Sequence, residues 1–83
     1  MYDLYMTVRS VTPAQRGRAV LERAGLRCVL LRAPREIAPG GCAYALALHS
    51  GQAERARALL RRAGVSWEGV WLQSREGFER LER

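Results

Sequence analysis

The chain has 83 residues, room for one compact domain with a thin hydrophobic core. Apolar residues make up 48% of it and charged residues 27%, a globular composition rather than a disordered one. Fourteen basic residues stand against eight acidic ones, net +6, and every basic residue is an arginine, which excludes a Schiff-base lysine, a lysine general base and a lysine-bearing phosphate loop.

The chain opens with Tyr2, Leu4, Met6 and Val8 alternating with Asp3, Tyr5, Thr7 and Arg9, the period-2 pattern of a strand. Thr12 then offers an N-cap, with Pro13 at the first helical position. In the helix that follows, Gly17, Val20, Leu21 and Ala24 share one face, with Arg16, Arg18 and Glu22 away from it. Residues 26–31 are a leucine and β-branched run that predicts a second strand. Residues 34–41, with two prolines and two glycines, predict a loop. Over 42–48 a third strand sets Cys42, Tyr44, Leu46 and Leu48 on one side and three alanines on the other. Ser50 caps a second helix with Ala53, Ala56, Leu60 and Ala63 on its apolar face, and residues 66–72 close as a fourth strand.

An internal repeat ties these elements together. Residues 18–26 read RAVLERAGL and residues 57–65 read RALLRRAGV, identical at six of nine positions. Each copy is the end of an amphipathic helix stopped by a glycine, Gly25 or Gly64, ahead of an apolar run. Two βαβ halves joined by right-handed crossovers give a ferredoxin-like βαββαβ domain over residues 1–72. Its expected form is a four-stranded antiparallel sheet with both helices on one face. Residues 73–83 are left as a short tail, with Phe78 and Leu81 as apolar anchors for a short helix. The helix-free face either meets solvent, pairs with a second subunit or is covered by residues 73–83 folding back. Aromatics exposed there, Tyr5 and one of Trp67 or Trp71, would suggest a homodimer interface.

No stretch approaches the ~20 apolar residues of a membrane span. Asp3 and Arg9 bracket a segment too short for the apolar part of a secretory signal, so the cytoplasm is the expected compartment. The two cysteines should then be free thiols. Cys28 lies early in strand two and Cys42 opens strand three, so an antiparallel hairpin sets them near opposite ends, beyond the ~7 Å limit for a bridge. Two cysteines and one histidine do not make a zinc site, and His49 is seven residues from Cys42 on the same strand, too far to be its base.

Cys28 sits inside an apolar run and reads as a small buried hydrophobe. Cys42 follows Pro39-Gly40-Gly41 at a strand edge, with Pro34-Arg35 at the other end of the loop. Glycines leave backbone N–H groups unshielded, and a nearby guanidinium favours a thiolate over a thiol. Spacing alone leaves two readings open, a structural cysteine or a nucleophile at a loop mouth.

Strand, helix ending Ala-Gly, strand, then Pro34-Arg35-Glu36-Ile37 and a Gly-rich turn into Cys42 resembles the small bacterial family of selenium/sulfur carrier protein-like chains. The resemblance covers residues 2–72. Here Gly41 precedes the cysteine and Ala43 follows it, where the family commonly has serine and glycine. The resemblance implies that Cys42 accepts a sulfane sulfur or selenium atom from a protein donor and passes it to a protein acceptor, with no other cofactor and no metal. Arg35 and the N–H groups of Gly40 and Gly41 would hold the loaded anion. Two other readings compete, a small-ligand-binding or regulatory dimer and an RNA-binding sheet. The second lacks a stacking motif, since strand three offers only Tyr44. Turnover of a small molecule is the least expected, for want of a carboxylate pair, a nucleotide fingerprint or a metal cluster. Glu68 is expected at the loop's end of the sheet, and Asp3 at the opposite end.

Overall fold

The first strand follows directly from the alternation at the start of the chain: in β1 (Leu4–Val8), Leu4, Met6 and Val8 are buried beneath the helices. The computed structural model describes residues 2–38 and 43–82. After β1 come α1 (Val11–Arg23), β2 (Cys28–Arg32), β3 (Tyr44–Leu48), α2 (Ala53–Arg62), β4 (Gly69–Ser74) and β5 (Gly77–Glu82). The sheet order is β2-β3-β1-β4-β5, with every neighbouring pair antiparallel. Its first four strands and two helices have the expected ferredoxin-like order, and the α+β class holds.

Two expectations change. The sheet has five strands rather than four, and the tail beyond residue 72 completes a hairpin instead of forming a helix. The cause lies in the other strands, because Phe78 packs edge-on against Tyr5 of β1, with ring centroids 5.2 Å apart. Arg80 lies 5.2 Å from the Trp71 ring and donates to the Glu68 carbonyl at 3.3 Å. At the turn, Gly77 takes φ +118°, a backbone conformation that glycine adopts without strain, directly opposite Ser74 across the two-residue connection. These contacts outweigh the weak helical pattern of the segment.

Helix α1 starts at Val11, one residue before the expected Thr12 cap, so Pro13 falls inside the first turn, where its missing N–H has no intrahelical partner to lose. The repeat is a pair of matching helix ends. Gly25 (φ +89°) and Gly64 (φ +76°) are left-handed, and the next residue donates back to the helix: Leu26 to the Leu21 carbonyl and Val65 to the Leu60 carbonyl, each at 2.9 Å. All four of these apolar residues are buried, so each helix end folds its own staple into the core.

Both helices cover the β3 face that carries Leu46 and Leu48. On the opposite face Ala45 and Ala47 are also buried, under their larger register neighbours Thr7, Leu31, Tyr5 and Val29. Trp71, paired across from Tyr5, is the aromatic that joins it there, whereas Trp67 packs against the helix-side core. No helix among the described residues is long and apolar enough to cross a membrane.

At the end of the sheet where β1 begins, Asp3 accepts from the Ser50 N–H at 2.8 Å and the Ser50 hydroxyl at 2.9 Å. It thereby anchors the turn that leads into α2. His49 accepts from the Gly51 N–H at 3.1 Å through Nδ1, so Ser50 is itself the capped residue and not the cap. Desolvation tends to raise the Asp3 carboxyl, but the Ser50 hydrogen bonds, with His49 nearby, together hold it below the ordinary carboxylate value. A lowered folded-state pKa stabilises the fold above the unfolded value and loses that contribution as pH falls through the folded value. Asp3→Asn is therefore expected to cost about 1 kcal/mol at pH 7 and to flatten the acid limb of the stability curve below about pH 4. Urea midpoints at pH 7 and pH 3 read the effect, and an equal loss at both would overturn this account.

Candidate functional site

The loop between β2 and β3 is built on a clamp. The Ala33 N–H donates to the Ala43 carbonyl at 3.0 Å, extending the ladder one step past Arg32 and Tyr44. Pro34 is extended (ψ 149°), and a single 3-10 turn, Arg35–Ile37, follows, with the Ile37 N–H donating to the Pro34 carbonyl at 3.1 Å. Ile37 is buried and pins the turn, which leaves Arg35 and Glu36 exposed on its outer side. Among the described residues no ion pair joins Arg35 to Glu36. Cys42, Gly40 and Gly41 lie outside the described residues, so of the expected site residues only Arg35 is placed.

The base of the loop meets the end of the sheet where β1 finishes, because Tyr44 pairs with Val8. Arg32 lies 5.7 Å from the Tyr44 ring, and Tyr44 packs against the core, as a structural aromatic does. Glu68 reaches the same end: its N–H donates to the Thr7 carbonyl at 2.6 Å, and its carboxylate meets Arg9 at 3.1 Å. The expectations for Glu68 and for Asp3 at opposite ends of the sheet both hold.

Sequence reasoning missed a cleft at this end. It has a volume of about 390 Å³ and lies between Val8, Arg9, Pro13 and Arg16 on one side and Val65, Trp67 and Glu68 on the other. Arg16 donates to the Ala63 carbonyl at 2.6 Å, bonding the end of α2 from α1, and Arg61 lies 5.4 Å from the Trp67 ring. These residues come from four separate segments. The only local hint was the arginine-rich last turn of α2.

The remaining candidates lie elsewhere. Cys28 is a free thiol, 6% exposed, opposite Leu48 at the end of the β2–β3 ladder away from the loop. Burial pushes its pKa up, the Glu22 carboxylate adds to the rise, and Arg18 only partly opposes it, so Cys28 is held as a neutral thiol with little nucleophilic character. His49 is at that same far end. Among the described residues no group of His, Cys, Asp and Glu is placed to hold a metal ion.

Residues 3–72 match the family model described as "Putative Se/S carrier protein-like". The match ends inside β4, so β5 lies beyond it. No curated protein and no solved structure matches the chain.

Proposed function

Because the chain belongs to the Se/S carrier protein-like family, we propose that it carries sulfur or selenium on Cys42 between protein partners. The single observation that carries this reading is the family match across residues 3–72, which includes the whole β2–β3 hairpin and its loop. The hairpin supports it: Arg35 stands exposed on a turn pinned by Ile37, with no ion-pair partner among the described residues. A guanidinium so placed is available to an anion formed in the loop. Cys28, buried and neutral, is a poor alternative.

In loading, the Cys42 thiolate attacks the terminal sulfur of a donor enzyme's persulfide, such as that of a cysteine desulfurase. A bond forms between the two sulfurs while the donor's own sulfur–sulfur bond breaks, releasing a donor thiolate. No outside oxidant or reductant is needed, since a zero-valent sulfur changes hands. The loaded persulfide is more acidic than a thiol, so it is an anion that Arg35 and the N–H groups of Gly40 and Gly41 would hold. An acceptor thiolate then takes the terminal atom and regenerates the Cys42 thiolate. Selenium follows the same course. Such thiol chemistry requires a reducing compartment, which assigns the cytoplasm to the same proposal. A homodimer through the helix-free face would rest on Val29, 42% exposed, and Leu31, because β5 covers Tyr5 and Trp71 from within the chain. A monomeric mass in sedimentation equilibrium would remove it.

The deciding experiment is intact-mass measurement after incubation with a cysteine desulfurase and either cysteine or selenocysteine. The expected result is one added sulfur or selenium on the wild type and on Cys28→Ser, and none on Cys42→Ser. No adduct on the wild type, or one that survives Cys42→Ser, overturns the carrier reading and leaves a ligand-binding module in its place.

A further inference from the structure

Charge is distributed unevenly along the strands. The end where β1, β2 and β5 finish, β3 begins and α2 stops carries Arg9, Arg16, Arg32, Arg35, Arg61, Arg62 and Arg80 against Glu36, Glu68 and Glu82. At the opposite end Arg23, Arg27, Arg55 and Arg75 are matched by Asp3, Glu22, Glu54 and Glu76. Most of the net positive charge therefore gathers at the end that holds the β2–β3 loop and the cleft beside Trp67.

The arginines around that cleft are positioned without being used up. Arg9 is 84% exposed at its bridge to Glu68, Arg16 is tethered by one bond to the Ala63 carbonyl, and Arg61 is set against the Trp67 ring. A guanidinium has five N–H donors, and these contacts use one or two of them. Arg9 and Arg16 line the hollow beside the Glu68 carboxylate that Arg9 neutralises, over an apolar floor of Pro13, Val65 and Trp67. Arg61 lines the adjoining depression that shares Val65 and Trp67. Carboxylates recognised in pairs with an apolar anchor between them fit such a site.

Resting on the reading that the chain exchanges its cargo with proteins, we propose that this cleft docks an acidic segment of a partner. Its carboxylates meet Arg9, Arg16 and Arg61, and an apolar side chain enters beside Trp67. A charged end steers the partner toward the loop before contact and sets which end of the molecule it meets. A protein segment fits better than a nucleic-acid strand, because Trp67 is partly packed into the core and Arg61 lies over its ring. Both limit the base stacking on which single-strand binding relies.

The test uses full-length protein carrying Trp71→Phe, so that Trp67 is the only tryptophan and its fluorescence reports on the cleft. The probe is a synthetic hexapeptide of five acidic residues and one leucine. A saturable change is expected, weakened about threefold by each of Arg9→Ser, Arg16→Ser and Arg61→Ser, as for exposed charge pairs. Arg27→Ser, at the far end, should leave it unchanged, and raising the ionic strength from about 20 to about 200 mM should weaken it further. No saturable change, or an equal loss in Arg27→Ser, overturns the proposal. So does tighter binding of a ten-residue uridylate strand, which would make the surface a nucleic-acid site. Cys42→Ser should bind the peptide as the parent does, so docking and carriage fail separately: peptide binding without an adduct removes only the carrier, and an adduct without peptide binding removes only the dock.

Discussion

Leu46→Ala is expected to cost about 3–4 kcal/mol, in the middle of the range for buried leucine truncations. Leu46 is fully buried at the middle of β3, between Met6 of β1 and Leu30 of β2. Above it lies Gly17 of α1, where an added Cβ would come within 2.9 Å of Leu46 Cδ1 and 3.3 Å of Leu60 Cδ2. The helix comes this close because residue 17 has no side chain, so no neighbouring group is available to swing into the vacated space. A domain of this size has a total stability on the order of 4–12 kcal/mol, and such a loss removes a large share of it. The same geometry predicts a coupling. Gly17→Ala gains up to about 1 kcal/mol of helix propensity but collides with Leu46 in the wild type. In a Leu46→Ala background the obstructing methyl is gone, and Gly17→Ala should become stabilising. Urea denaturation of the two single variants and the double variant measures this, and additivity within about 0.5 kcal/mol would sink the packing argument.

The second large effect is expected from ending the chain after Ser74, which removes β5. The loss is about 3 kcal/mol: Phe78 gives up its partial burial and its edge-on contact with Tyr5, and the cross-strand pairs with β4 are lost. Truncation also leaves β4 as an open edge, with Trp71 and Tyr5 uncovered on the helix-free face. An unprotected edge beside aromatic surface promotes strand-to-strand association. The truncated chain should therefore unfold at lower urea and sediment as higher-order species where the full chain does not. A truncated chain with unchanged midpoint and mass would show that β5 contributes neither stability nor protection. Because the family match stops at residue 72, inside β4, the fifth strand is a feature of the chain beyond the matched segment.

Periodicity, helix-stopping glycines and the nine-residue repeat are local signals, and the elements that depend on them were legible in the sequence. The alternation from Tyr2 to Arg9, the faces of both helices and the Gly25 and Gly64 ends follow from backbone geometry that each segment carries by itself. Two such halves and the right-handed crossover rule then leave little choice of topology. Residues 77–82 were not legible in this way, because a short charged segment with two apolar side chains has no strong preference of its own. It became a strand only because Tyr5 and Trp71, distant in sequence, present rings for Phe78 and Arg80 to pack on.

The loop divides along the same line. That a cysteine follows Gly-Gly at a strand edge opposite Pro-Arg is visible in the residue order. That Arg35 faces outward depends on Ile37 burying itself, and the cleft depends on four segments converging at one end of the sheet. Residue order by itself determined the halves, their ends and the thiol to suspect, since those rest on neighbours within a few positions. The tertiary structure decided the fifth strand and the side of the molecule on which the arginines collect, since both require contacts between residues dozens of positions apart, whose energies no local pattern encodes.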